Sequence, residues 1–91
     1  MHARVVTVQM KPGAMDELIS MFRDSIVPAA KAQKGRKGTL LLVDRGTGKA
    51  MGIGLWETEA DMKASESHVA KVASLLAAPA VTERFEVAVQ D

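Results

Sequence analysis

Residues 38–56 constrain the fold of this chain more than any other stretch. They read Gly38-Thr39-Leu40-Leu41-Leu42-Val43-Asp44-Arg45-Gly46-Thr47-Gly48-Lys49-Ala50-Met51-Gly52-Ile53-Gly54-Leu55-Trp56. Two extended apolar runs meet at a short glycine-containing connection, the pattern of a β-hairpin. Leu40 to Val43 is continuously apolar, so both faces of that strand need cover. One small domain usually covers a single face of its sheet. The hairpin therefore predicts a partner on the other face.

With 91 residues the chain makes one domain, residues 1–91, at the small end of the usual range. A core of that size often needs help from a disulfide, a metal or a second subunit. There is no cysteine, which excludes disulfides and thiolate-bound zinc. Association remains, and it suits the doubly apolar strand. The formal net charge of +1 gives no electrostatic case for nucleic-acid binding. The longest aliphatic run is far too short to span a bilayer, and the start of the chain lacks the apolar core of a secretion signal. The expectation is a soluble, cytoplasmic protein without nucleic-acid or membrane partners.

Taken in order, Ala3 to Met10 reads as a valine-rich strand with Val6, Val8 and Met10 on one side and Val5, Thr7 and Gln9 on the other. Lys11-Pro12-Gly13 breaks it. A helix follows, with Asp16 and Glu17 in its first turn and an apolar stripe at Met15, Leu18, Ile19, Phe22 and Ile26. Pro28 is expected to end or kink this helix near Ser25 to Val27. The basic segment Lys31, Lys34, Arg36 and Lys37 has no interleaved aromatics, so it reads as a solvated connection to the hairpin.

After the hairpin, Thr58 with Asp61 three residues on predicts a helix cap. Ser67 is a second candidate cap, for a segment in which Val69, Val72, Ala73 and Leu76 share a face up to Pro79. Val81 to Val89 is the last strand, half exposed, with Phe85, Val87 and Val89 opposite Thr82, Arg84 and Glu86. The order β-α-β-β-α-β is that of the ferredoxin-like α+β fold, an antiparallel sheet with both helices on one face. The other face is left apolar, and a homodimer joined sheet to sheet is predicted.

Chemistry is harder to read. His2 and His68 are the only histidines and have no ligand spacing, so no metal site is expected. The glycines at 46, 48, 52 and 54 fit neither a dinucleotide fingerprint nor a P-loop. Gly52 and Gly54 clear one side of a strand, which favours close helix packing over a ligand. His68, at a helix end, reads as half-exposed unless an orienting partner and a pocket make it a general base. Trp56, the only tryptophan, reads as a core anchor before a pocket wall. Arg84 and Glu86 read first as solvated edge charges, with inter-subunit ion pairs next and an arginine steering an anionic substrate third.

With this order laid out, the chain resembles the antibiotic biosynthesis monooxygenase-like family of dimeric α+β barrels. The resemblance runs over nearly the whole chain and is carried by Leu40-Leu41-Leu42-Val43-Asp44, the glycine turn, and Gly54-Leu55-Trp56-Glu57-Thr58-Glu59-Ala60. It implies two sheets closing into a barrel, with a pocket in each subunit between sheet and helices. Members include cofactor-independent monooxygenases of phenols or quinols, and haem-degrading enzymes. The haem degraders use an asparagine, and none occurs here, so haem degradation is disfavoured. For the oxygenase reading, the resemblance implies Trp56 and Arg84 against a small aromatic substrate, His68 as the group that takes a phenolic proton, and no obligatory cofactor. A non-catalytic dimer that binds a small apolar ligand or acts as a scaffold is the alternative.

Overall fold

A computed structural model of the chain describes residues 1–65 and 68–91. The expected cap at Ser67 lies outside the described residues. Four strands, β1 (His2–Gln9), β2 (Arg36–Asp44), β3 (Lys49–Trp56) and β4 (Val81–Glu86), form one antiparallel sheet in the order β2-β3-β1-β4. The helices lie on one face: α1 (Met15–Met21), α2 (Val27–Lys31), α3 (Glu59–Ala64) and a 3₁₀ helix at Val69–Leu75. This is the ferredoxin-like α+β arrangement that the element order predicts.

The hairpin forms with Asp44 paired to Lys49. Its turn is closed by the Asp44 carboxylate, whose Oδ1 accepts from the Gly46 N–H at 2.9 Å and from the Thr47 N–H at 3.3 Å. Gly48 adopts φ +75°, a conformation that side chains with a Cβ disfavour.

The regular α-helix breaks where Pro28 predicts, near Ser25 to Val27, but the helical run resumes beyond the proline. Between α1 and α2 the chain widens into a π turn, Phe22–Ile26, and the Val27 N–H donates to Phe22 O, five residues back. Pro28 then falls in the first turn of α2, where its missing N–H is no loss. The proline's conflict with the preceding turn is absorbed by widening that turn.

The segment before Pro79 winds as a 3₁₀ helix, so its buried residues, Val72 and Leu75, are three apart. The α-helical spacing expected from Val69, Val72, Ala73 and Leu76 is corrected accordingly. The last strand also stops early, at Glu86 and not Val89. Its partner β1 pairs His2 with Glu86, one more bond joins the Val87 N–H to Met1 O at 2.8 Å, and Val89 has no strand beside it.

Val8, Met10, Met15, Leu18, Ile26, Ala50, Val72 and Leu75 make the core between sheet and helices. No helix among the described residues covers the opposite sheet face. Strand pairing puts Leu40, Leu42, Met51, Ile53, Val5, Val81 and Phe85 on that face. Leu42 and Phe85 are each 50 % exposed there. No helix among the described residues is long and apolar enough to cross a membrane.

Candidate functional site

β1 alternates, and the alternation that turns Val6 and Val8 towards the helices also turns Arg4 that way. Cross-strand pairing brings Gly54 opposite Arg4 and Gly52 opposite Val6, so the middle of the sheet is cleared of side chains on its helix side. A Cβ on Gly54 would stand 2.5 Å from Cη2 and Cζ3 of the Trp56 ring, and one on Gly52 would stand 3.5 Å from Cε2 of Phe22. The two glycines thus do different jobs: Gly54 gives space to the indole, Gly52 to the helix.

Above this cleared strip lies a cavity of about 100 Å³. Its floor is Arg4, Val6 and Val8 of β1, Thr39 and Leu41 of β2, and Gly52, Gly54 and Trp56 of β3. Leu18, Phe22, Ile26 and Ala30 roof it along α1, the π turn and α2. His68, Val69 and Val72 close one side with Gln33. The space is several times what one water needs.

Trp56 is 5 % exposed, which confirms the buried anchor, and it also walls the cavity. Its Nε1–H is buried and has no hydrogen-bond partner among the described residues. A buried donor left unmatched in this way is unusual and costs free energy unless something fills the role.

Arg4 is 6 % exposed and is the one buried charged side chain among the described residues. Its Nη2 donates to Met62 O at 2.7 Å and to Ser65 O at 3.3 Å, which ties the end of α3 to the sheet. Its guanidinium carbon lies 5.1 Å from the centroid of the Trp56 ring. Burial, and then the charge of Arg84 across the strand pair, hold Arg4 below its usual pKa.

Of the three residues expected at a site, Trp56 and His68 meet at the cavity. His68 lies at the start of the 3₁₀ helix, half-buried, with its Nε2 withdrawn from solvent. Arg84 stands exposed on the edge strand beside Arg4, not among the residues lining the cavity. Arg4 itself was legible: it shares the face of Val6, Val8 and Met10 by simple alternation. Gln33 was not, because its position depends on the helix running past Pro28.

On the outer side of Gln33 and His68 is an open groove of about 580 Å³ between the end of the first helix and α3. Both residues line the groove and the cavity. No group of three or more His, Cys, Asp or Glu placed to hold a metal occurs among the described residues.

The architecture is shared by proteins of known structure. A variant of MhuD with two manganese protoporphyrin IX bound per active site superimposes with TM-score 0.79 at 22 % identity, covering all of this chain and 98 % of that one. The chain has the antibiotic biosynthesis monooxygenase-like fold. A variant of SnoaB, a cofactor-independent oxygenase from Streptomyces nogalater, shares that fold with TM-score 0.79 at 18 % identity over 98 % of this chain and 94 % of its own. An antibiotic biosynthesis monooxygenase shares it at TM-score 0.74 and 18 % identity, over 96 % and 98 % of the two chains.

In sequence, the uncharacterized protein Rv2558 of Mycobacterium tuberculosis (strain ATCC 25618 / H37Rv) is 34 % identical over 91 residues, 96 % of this chain and 39 % of that protein. Rv2557 of the same strain is 32 % identical over 96 % of this chain and 41 % of its own length. The chain thus spans about two fifths of the curated relatives it matches. No protein-family profile matches it.

Proposed function

We propose that the protein is a homodimeric, cofactor-independent monooxygenase that takes a small quinol or phenolic compound into the cavity over Gly52 and Gly54. One observation carries this reading: the walls are apolar, and the buried, unmatched Trp56 Nε1–H stands among them with Arg4 and His68. An apolar pocket with a few convergent polar groups suits a small aromatic whose one polar end must be fixed. SnoaB, described as a cofactor-independent oxygenase, has the same fold.

In this reading the ring lies against Trp56, and His68 takes the phenolic proton. The buried Arg4 charge favours the phenolate, and Arg84 adds to that field from the edge strand. Dioxygen oxidises phenolates far more readily than phenols. One oxygen atom enters the ring and the other leaves as water, with all four electrons drawn from the substrate, so that a quinol becomes a hydroxyquinone.

The dimer would form through the uncovered sheet face, where Leu40, Leu42 and Phe85 are 41–50 % exposed. Binding by a non-catalytic dimer is the alternative.

Trp56 fluorescence, titrated with quinols, polyphenols and haem while oxygen uptake is followed, separates these readings. Saturable quenching by a quinol with oxygen consumption, and a His68→Ala variant that binds but turns over slowly, is the expected outcome. Quenching without uptake makes the protein a binder, and quenching by haem alone overturns the quinol assignment.

A further inference from the structure

Resting on the cavity reading above, we infer that the ligand is amphipathic: an aromatic head in the cavity and an anionic arm that passes Gln33 and His68 into the outer groove, to be met there by Lys34 and Lys71. Two features lead to this. Gln33 and His68 line both the inner cavity and the outer groove, so the two spaces adjoin, and an elongated molecule reaching from one to the other passes between these two side chains. The groove is also the larger space, about 580 Å³ against about 100 Å³, so a single-ring phenol would leave most of the site unused.

The groove's chemistry selects the arm. Its walls are small, with Ala29, Ala32, Ala60 and Ala64 facing one another from the two helical segments, which leaves room for a chain. Lys34 and Lys71 are exposed at its rim and make no ion pair among the described residues. Among the described residues one carboxylate, Asp61, opposes them from α3, where it lies against Gly35. Two cations against one anion favour a carboxylate or phosphate on the incoming arm. The head, by contrast, enters a space in which Arg4 is the one charged wall residue among the described residues. Charge is therefore offered in both spaces, with the polar side chains of Gln33 and His68 between them, which selects a ligand by length as well as by sign.

The test uses the full chain and 4-(2,5-dihydroxyphenyl)butanoate, with its methyl ester and the matching alkyl phosphonate, titrated calorimetrically under nitrogen. The acid is expected to bind about three- to tenfold more tightly than the ester, the range that two exposed charge pairs supply. That preference should vanish in Lys34→Gln/Lys71→Gln and at high salt, while the ester's affinity stays the same. A phosphonate tighter than the acid assigns a phosphate-bearing ligand, and the reverse assigns a carboxylate. Equal binding of acid and ester, or a preference that survives in the double variant, overturns the anionic arm and leaves the cavity reading standing. Binding by none of the three overturns both.

Discussion

Arg4 and Trp56 pack as one buried unit, the guanidinium carbon 5.1 Å from the ring centroid and the same guanidinium bonded to Met62 O and Ser65 O. Sheet, indole and the end of α3 are therefore held by a single cation. Replacing Arg4 by alanine should lower unfolding free energy by about 2 kcal/mol, the scale of a hydrogen bond from a charged donor. Arg4→Met, which keeps an apolar body and removes the buried charge, should lose less. Urea denaturation of the two variants gives the comparison, and equal losses would contradict it.

Gly52 and Gly54 should respond differently to alanine. Gly54→Ala drives a methyl to 2.5 Å from the Trp56 ring, so the indole must move. A loss of about 1–3 kcal/mol is expected from that overpacking, with a changed near-ultraviolet circular dichroism signal and weakened ligand binding. Gly52→Ala meets Phe22 at an ordinary 3.5 Å and should leave the melting temperature nearly unchanged.

A second glycine pair separates backbone strain from crowding. Gly13 and Gly35 have φ of +78° and +75°, but only Gly35 has a neighbour, the Asp61 side chain, where a Cβ would stand. Gly13→Ala should cost about 1 kcal/mol from the left-handed backbone alone. Gly35→Ala should cost at least about 1 kcal/mol more, since crowding is added. Thermal melts of both variants decide it.

The uncovered sheet face gives a prediction about mass. The wild-type chain of 9.7 kDa should sediment as a dimer, and Leu42→Glu or Phe85→Glu should give monomers, because each places a charge in the middle of the apolar face. A wild-type monomer at micromolar concentration would sink the sheet-to-sheet dimer.

Acid sensitivity follows from two surface carboxylates. The hydrogen bond from Lys63 holds Glu59 below its usual pKa, and the one from Arg23 does the same for Asp24. A carboxyl with a lowered folded pKa binds protons less readily in the native state, so it stabilises above the ordinary carboxylate range. That contribution disappears as pH falls through the folded value. Urea midpoints of the wild type should drop between pH 6 and pH 3 more than those of Glu59→Gln/Asp24→Asn, and identical pH profiles would exclude these pairs as the cause.

The hairpin, the Thr58 cap and the uncovered sheet face were legible because each rests on local rules: alternation, turn residues and capping spacing. The Asp61 N–H does meet Thr58 Oγ1, at 3.0 Å. What escaped the sequence depended on how turns widen or tighten. Pro28 marks where the regular helix gives way, but not that the turn before it widens and lets the helix continue. At α-helical spacing Val72 would sit over Leu76, whereas at three residues per turn it stacks directly with Leu75. Trp56 illustrates a further limit, since core anchor and pocket wall are not exclusive: a ring with little exposure can border a cavity on its inner side.

The wide turn at Phe22–Ile26 has a consequence for phase. Each residue advances an α-helix by about 100°. Wound as an uninterrupted α-helix, this sequence would carry everything after the turn around the axis by about that angle. Ala30 and Gln33 would then swing away from the sheet, and the cavity would lose part of its roof and the wall it shares with the groove. A proline and one loose turn thus act as a rotary adjustment that decides which residues downstream look inward.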